Sequence, residues 1–188
     1  MVESYIAAAS RLLLNEGFGP KPILTALETI GRGLDVDRVY VCEDSTDPTT
    51  GKVVTSQRFE WSADGVETQV DNPELQEIPY ELFVPEWQAL LARGEPVRGL
   101  VREMSPGPGR ELLESQDILS ILVCPIHVGG KCWGFVGFDA CRSERPWTNT
   151  EVRSLNAIAK ALGASLRHST MKRNLEAARE RLRAILDS

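Results

Sequence analysis

The sequence predicts an α+β fold, with a central antiparallel sheet flanked by helices and a long helix at the C-terminal end. Three observations predict it: two apolar stripes at helical spacing near the N-terminus, two hairpin patterns, and an unbroken helical pattern after Thr148. Because 42% of the 188 residues are hydrophobic and 26% are charged, the chain has the composition of a folded domain with one main core.

The N-terminal segment predicts two amphipathic helices. Apolar residues from Tyr5 to Leu14 recur at helical spacing and stop before Gly17. A second apolar stripe follows Pro22, a residue type that suits a first helical turn. Both segments are therefore predicted to be amphipathic helices, the second ending near Gly31 and Gly33.

Two β-hairpins are predicted next. The first joins strands at Val39–Cys42 and Val53–Trp61 through a turn rich in Asp, Thr, Pro and Gly. The second is the clearest signal in the chain, with apolar strands at 118–128 and 131–139 around Gly129 and Gly130. Paired glycines favour a two-residue hairpin turn, because both central positions need a positive φ.

The segment between the hairpins, residues 62–110, is irregular, because Pro73, Pro79, Pro85 and Pro96 forbid long regular elements. It predicts a short helix at Glu86–Arg93 and a short strand at Val97–Val101, with another short helix at Gly109–Ser115. Long connections in compact domains are often functional, so we expect this segment to form the lid of a pocket.

A long helix is predicted from Thr148, where Glu151 completes a capping box, and nothing breaks the pattern before Ser188. Such a helix is roughly 60 Å long, more than the domain can bury. We therefore divide the chain into a domain at residues 1–168 and a projecting helix at residues 169–188.

The projecting helix carries apolar residues at alternating spacings of four and three, the a/d pattern of a coiled coil. A solvent-exposed helix with accidental spacing is the alternative. We expect a parallel homodimer, and the predicted interface residues are Met171, Leu175, Ala178, Leu182 and Ile185.

Several classes of function are disfavoured. The formal net charge of -6 argues against nucleic-acid binding, and neither a membrane-spanning run nor a signal peptide is evident, so a cytoplasmic location is expected. The four cysteines lack zinc-site spacing, two histidines cannot build a multi-histidine metal centre, and the common catalytic motifs are missing. We assign no catalytic residue, metal ligand or cofactor and expect no enzymatic activity.

The order of elements and several motifs resemble a GAF domain over about residues 4 to 168. The segments Ser120–Ile126 and Gly130–Asp139 are similar to the final hairpin of the family, and Arg145–Thr148 to its lead into the last helix. Phe59-Glu60-Trp61, with Gly65, Ile78-Pro79 and Trp87, is similar to a subgroup common in bacterial histidine kinases and diguanylate cyclases.

The tail, Arg181–Ser188, resembles the entry helix of a PAS domain. Together the two resemblances imply a sensor module in a multidomain receptor. They also imply a covalently linked output domain, which could be a PAS domain, a histidine kinase or a diguanylate cyclase.

The GAF resemblance also implies a pocket between the sheet and the irregular segment, holding an unidentified small molecule. Strand alternation puts Phe59 and Trp61 on one face and Arg58 on the other, so only one set can line it. The implied ligand-binding residues are Phe59, Trp61, Phe83, Trp87, Glu111 and Ser115. The signature of the cyclic-nucleotide-binding members is absent, as is the Cys-His dipeptide typical of bilin attachment.

Two alternatives to the sensor stay open. One is a dimerisation module without a ligand, and the other is a GAF-fold methionine sulfoxide reductase, to which the cysteine positions fit poorly. A cavity above about 300 Å³ with converging polar groups would favour the sensor, and a filled interior the dimerisation module.

Overall fold

The computed structural model describes residues 2–186. The helices are α1 (Val2–Glu16), α2 (Pro20–Leu34), α3 (Tyr80–Phe83), α4 (Pro85–Ala92), α5 (Pro108–Glu114) and α6 (Asn149–Leu186). The strands are β1 (Arg38–Thr46), β2 (Val53–Ser62), β3 (Ile78–Pro79), β4 (Val97–Leu100), β5 (Ser120–Val128) and β6 (Lys131–Ala140). The predicted helical end at Asp187 and Ser188, within the PAS-like segment, lies outside the described residues.

The strands form one sheet in the order β3-β2-β1-β6-β5-β4, and every neighbouring pair is antiparallel. The β5–β6 hairpin turns at Gly129 and Gly130, with φ of 59° and 81°, values that other residues rarely adopt. The predicted α+β fold with a central antiparallel sheet is therefore confirmed.

Each face of the sheet has its own apolar core. On one face, α1, α2 and α6 pack over Val39, Val41 and Phe138. On the other, α3, α4 and α5 pack over Tyr40 and Phe135. The sheet thus separates a helical layer that continues into α6 from a layer made by the segment between the hairpins.

That segment is more regular than its prolines predict. Pro85 and Pro108 occupy the first positions of α4 and α5, and Pro79 immediately precedes α3. A proline at a first helical position costs no hydrogen bond, because the amide there has no partner within the helix. The prolines therefore begin short helices in this segment instead of preventing them.

The capping box predicted for α6 is present. Glu151 N–H donates to Thr148 Oγ1 at 3.2 Å, and Thr148 N–H donates to the Glu151 carboxylate at 2.8 Å. The helix has 38 residues and is about 57 Å long. Leu155, Ile158 and Leu162 are buried, Ser169 is half-buried, and every side chain from Thr170 to Leu186 is exposed. Within residues 2–186, no helix is both long and apolar enough to span a membrane.

Candidate functional site

A narrow cavity lies between the sheet and helices α3 to α5, where the pocket was expected. Its volume is about 60 Å³, room for a few water molecules and far below the roughly 300 Å³ at which small-molecule pockets begin. The side chains that line it include Tyr40, Cys42, Thr55, Gln57, Tyr80, Phe83, Trp87, Leu113, Gln116 and Phe135. The interior at this position is nearly filled by the protein's own side chains.

Two of the predicted ligand-binding residues, Phe83 and Trp87, lie in the cavity wall. Glu111 and Ser115 lie instead along a shallow surface groove beside Phe83, and α5 presents Leu112 and Leu113 to the cavity. The predicted set is therefore split between the cavity and the outer surface of α5. Ligand contact by any of these residues stays a prediction.

The placement of Phe59 and Trp61 in the cavity wall is wrong, because both lie on the opposite face of the sheet. Trp61 packs against Gly31 of α2, where a Cβ atom would overlap its ring. Phe59 packs edge-on against Phe18, with ring centroids 6.2 Å apart. Both rings therefore belong to the core beneath the helical layer.

A β-bulge explains this difference from strand alternation. Val41 pairs with Phe59, but the next residue, Cys42, pairs with Gln57, so Arg58 has no partner on β1. The extra residue reverses which side chains face the cavity beyond it. Arg58 itself points to solvent and forms an ion pair with Glu43 at 3.2 Å. The sequence offered either Phe59 with Trp61 or Arg58 as the cavity wall on β2, and none of the three lines the cavity.

Thr55 and Gln57 supply the cavity wall on β2, and the sequence analysis missed both. The Gln57 side-chain amide donates to the Glu60 carboxylate at 2.7 Å. Next to them, the Tyr80 hydroxyl donates to Asp44 Oδ1 at 2.8 Å. Burial raises the pKa of both Tyr80 and Asp44. The cavity is thus apolar across most of its wall, and the polar side chains of Thr55 and Gln57 lie where β2 pairs with β1.

A buried charged pair lies on the same face of the sheet at the start of β1. Arg38 and Asp139 are each 1% exposed, with Arg38 Nε 3.9 Å from Asp139 Oδ2. The Tyr40 hydroxyl donates to Asp139 Oδ1 at 3.1 Å. Burial raises the pKa of Asp139 to about 7, although Arg38 and Tyr40 act in the opposite direction. No sequence motif predicts that Arg38 and Asp139 form a pair.

The four cysteines carry free thiols. Burial raises the pKa of Cys124 to about 12 and the pKa values of Cys132 and Cys141 to about 11. The pKa of Cys42 is also raised, again chiefly by burial. The thiolate is the nucleophilic form, so these environments disfavour cysteine chemistry at neutral pH. Residues 2–186 contain no group of three His, Cys, Asp or Glu side chains placed to hold a metal ion.

The predicted dimer residues lie on the projecting part of α6 and face solvent. Met171, Leu175, Leu182 and Ile185 are 53–69% exposed, and Ala178 is exposed with them. Four large apolar side chains on one stripe are unusual for a solvated helix. Their pairing with a second chain stays a prediction.

The base of this projecting helix is fixed to α1 and to the loop after it. Ser165 Oγ donates to the Leu13 carbonyl oxygen at 2.7 Å, and Phe18 N–H donates to Ser169 Oγ at 3.0 Å. The second bond is formed at the last α6 residue that is still partly buried. Beyond it, every described residue of α6 is exposed.

The profile of the GAF domain family matches residues 23–166. A curated relative, the methanogenesis regulatory histidine kinase FilI of Methanothrix harundinacea, is 36% identical over 182 residues, which cover 97% of this chain and 20% of the relative. The chain therefore spans about a fifth of the length of that relative.

Two solved structures share the fold. A far-red absorbing domain in its dark state, with bound biliverdin, matches with a TM-score of 0.70 at 19% identity, covering 90% of this chain and 99% of its own. The blue-light absorbing form of the Thermosynechococcus elongatus PixJ GAF domain matches with a TM-score of 0.68 at 15% identity, covering 93% and 94%. At such low identities, the likeness establishes the fold alone.

Proposed function

This chain belongs to the GAF domain family, and on that basis we propose that it is the regulatory, ligand-sensing module of a signalling histidine kinase. The relationship to a regulatory histidine kinase, at 36% identity over nearly the whole chain, supports this output over a diguanylate cyclase. The catalytic reaction then belongs to a linked region, and residues 1–168 sense while α6 beyond residue 168 transmits.

The observation that carries the proposal is the continuity of α6. Its first half covers β5 and β6 within the domain, and its second half projects into solvent as the same helix. A rotation or tilt of the first half of α6 on the sheet therefore moves the projecting half as well, because no break in the helix separates the two halves. A ligand acts on such an element by binding one position of α6 more tightly than the other.

The exposed stripe on α6 supports a parallel homodimer as the signalling unit. Parallel pairing carries both projecting helices to the same end of the dimer, where both output regions would begin. Intrahelical Glu–Arg pairs on this part of α6 contribute little, so the apolar stripe must supply the association energy. This stripe is the part of the molecule on which we base the coiled-coil proposal.

Native mass spectrometry of the purified chain tests the sensing role. A folded chain that carries a bound small molecule supports the sensor, and loss of that mass under denaturing conditions shows that binding is noncovalent. A ligand-free dimer, obtained repeatedly from cells grown under different conditions, would instead support a module that only dimerises.

The small cavity favours that second candidate, a GAF domain with a filled pocket that serves dimerisation alone. At about 60 Å³ the cavity does not admit a tetrapyrrole such as the biliverdin of the structural neighbour. Sensing through this cavity therefore requires α3 to α5 to move away from the sheet. Hydrogen exchange separates the two candidates: a lid that opens gives low protection over residues 62–110, and a rigid filler gives uniform protection.

We also propose that the chain has no thiol-based activity, because burial raises the pKa of each cysteine. Incubation with free methionine sulfoxide and dithiothreitol should yield no methionine. Turnover that is lost in Cys132→Ser or Cys141→Ser, with the fold intact by circular dichroism, would contradict this.

A further inference from the structure

An open cleft of about 410 Å³ lies beyond the narrow cavity, at the end of the sheet where β1 begins. Its walls come from Gly65–Glu67 after β2, Gln116–Leu119 before β5, and Cys141 and Arg142 after β6. Gln116 also lines the narrow cavity, so this one residue belongs to both spaces. The cleft has the volume of a small-molecule site, which the cavity lacks.

The cleft wall contains a buried positive charge with unused hydrogen-bonding capacity. Arg38 Nη2 donates to the Gln116 carbonyl oxygen and to Cys141 Sγ, both groups of the cleft wall. Its Nη1 makes no hydrogen bond to any described residue, and neither does its Nε. Buried charged donors are costly when they lack an acceptor. An acceptor that enters from the cleft would remove this cost.

The charges inside the protein compensate Arg38 only in part. Asp139 Oδ2 is 3.9 Å from Arg38 Nε, beyond hydrogen-bond distance, and Asp139 Oδ1 is engaged by Tyr40. Since burial raises the pKa of Asp139 to about 7, its carboxyl is only partly ionised near neutral pH. Glu60 also favours the charged form of Arg38, but its carboxylate accepts hydrogen bonds from Gln57 and Ser62 and none from the guanidinium. Room for a further negative charge therefore remains beside the guanidinium.

The rim of the same cleft is acidic. Glu67, Glu114 and Asp117 all line it and are exposed. Glu114 is paired with Arg110 at 2.7 Å, whereas Glu67 and Asp117 form no ion pair with any described residue. Arg142 also lines the cleft, but its guanidinium is paired with Asp37, so the unpaired charges of the rim are negative. This rim disfavours a simple anion, and the Arg38 guanidinium disfavours a simple cation. Only a ligand with one negative and one positive group complements both the buried guanidinium and the acidic rim.

We propose that this cleft binds a small zwitterion of the α-amino acid class, with its carboxylate on Arg38 and its ammonium group between Glu67 and Asp117. The proposal rests on the proposed function, because it supplies a ligand class for that sensor. Gln116 would couple ligand binding in the cleft to the narrow cavity. Its backbone carbonyl accepts a hydrogen bond from Arg38, and Gln116 lines both the cleft and the cavity.

Titration of the ¹⁵N-labelled chain with glycine, acetate and methylammonium tests the proposal at constant ionic strength. These probes carry both charges, the carboxylate alone and the ammonium alone. Glycine should shift the Arg38 Nε–Hε resonance saturably. Acetate should bind at least roughly fivefold more weakly, because it lacks the ammonium group and so loses one partly exposed ion pair with the rim. Methylammonium should leave this resonance unmoved.

Variants of the rim provide the second arm. Glu67→Gln and Asp117→Asn should each weaken glycine binding roughly fivefold. Asn tolerates the positive φ of 59° at position 117. Asp64→Asn is the matched control, because Asp64 is exposed on the same loop as Glu67 but does not line the cleft.

The proposal is overturned if glycine leaves the Arg38 resonance in place at millimolar concentration, if acetate binds as tightly as glycine, or if Asp64→Asn has the same effect as the rim variants. Each of these results would leave Arg38 and Asp139 as a structural pair only. Dimerisation through α6 is measured separately, so failure of the cleft and failure of the signalling module are distinguishable.

Discussion

The backbone N–H of Phe18 donates a hydrogen bond of 3.0 Å to Ser169 Oγ, joining the α1–α2 loop to the point where α6 leaves the domain. The Phe18 ring packs edge-on against Phe59 and Trp133, with centroid distances of 6.2 and 5.6 Å. Phe59 directly follows the β-bulge at Arg58, and Gln57, just before the bulge, lines the cavity. One loop residue therefore contacts both the sheet and the base of the projecting helix.

The first prediction concerns this contact. Ser169→Ala removes the acceptor of a half-buried N–H, so we expect a loss of about 1 kcal/mol in the free energy of unfolding. Amide exchange should rise locally, in the loop at residues 17–19 and in the α6 turn around Ser169. Urea unfolding and hydrogen exchange by mass spectrometry measure the two effects.

Thr170→Ala is the control for that experiment, because Thr170 Oγ1 donates within α6, to the Leu166 carbonyl oxygen at 3.0 Å. It removes a hydroxyl from the next residue without touching the loop. Equal increases in exchange for both variants would mean that the loop contact does not hold α6.

The second prediction concerns Gly137, whose missing side chain allows the Tyr40 ring to lie across β6. A Cβ atom at Gly137 would overlap that ring, and Tyr40 is 8% exposed and hydrogen-bonded to Asp139. Gly137→Ala should therefore cost about 1–3 kcal/mol, the usual penalty for overpacking. Chemical denaturation measures it.

Gly99→Ala provides the comparison. Gly99 lies in the edge strand β4, and a Cβ atom there would meet nothing within 4 Å. Alanine should be neutral or slightly stabilising at this position, because it restricts the unfolded chain. Similar destabilisation by both substitutions would contradict the packing argument for Tyr40.

Local signals made much of this fold predictable. The Gly129–Gly130 turn and the Thr148–Glu151 cap depend on residues adjacent in sequence, and both have the predicted geometry. Helices, strands and the antiparallel sheet follow from such short-range patterns. The GAF resemblance, and not a local pattern, placed Phe83 and Trp87 at the pocket, and both line the cavity.

The candidate site was less predictable, because it depends on register and on contacts between distant segments. The bulge at Arg58 is invisible to strand alternation, and it moved Phe59 and Trp61 to the other core. Arg38 and Asp139 read as ordinary charged residues at strand ends until the sheet brings them together. A glycine opposite Tyr40, Gly137, was the one local sign that this face holds a large side chain close to the backbone.

The third prediction is a pH dependence of stability that arises from Asp139. Burial raises its pKa from the ordinary value of 3.8 to about 7 in the folded chain. Between these values the folded state keeps a proton that the unfolded state releases. The contribution of Asp139 to stability therefore falls as pH rises from about 4 to 7, by at most about 1.4 kcal/mol per pH unit.

Asp139→Asn removes that titration and should flatten the fall in stability between pH 5 and 7. Burial opposes ionisation of Asp37 and Glu151, but hydrogen bonds from Arg142 and Arg145 lower their pKa values. Their stabilisation is lost at more acidic pH, so they do not mask the effect. Urea unfolding at a series of pH values measures both slopes, and identical slopes for the two proteins would exclude Asp139 as the source.

The last prediction is that the chain dimerises through α6 in parallel, with Leu175 and Leu182 in the seam. Both are more than half exposed in the single chain, at 53% and 60%, so the seam buries apolar surface that the domain does not cover. Asp at both positions would place charges in this seam, and desolvating them unpaired costs several kcal/mol, more than so short a coiled coil supplies. The double variant Leu175→Asp/Leu182→Asp should therefore sediment as a monomer with the domain intact.

Ala177→Asp/Ala184→Asp is the matched control, since it adds the same two charges to α6 two residues after Leu175 and Leu182, on the side of the helix away from the seam. It lowers helix propensity by a comparable amount, so a frayed helix alone would affect both double variants. Sedimentation velocity at tens of micromolar should show dimers for the control and for the unmodified chain. A monomeric unmodified chain, or dimers of the seam variant, would place any association elsewhere, with α1 as the next surface to test.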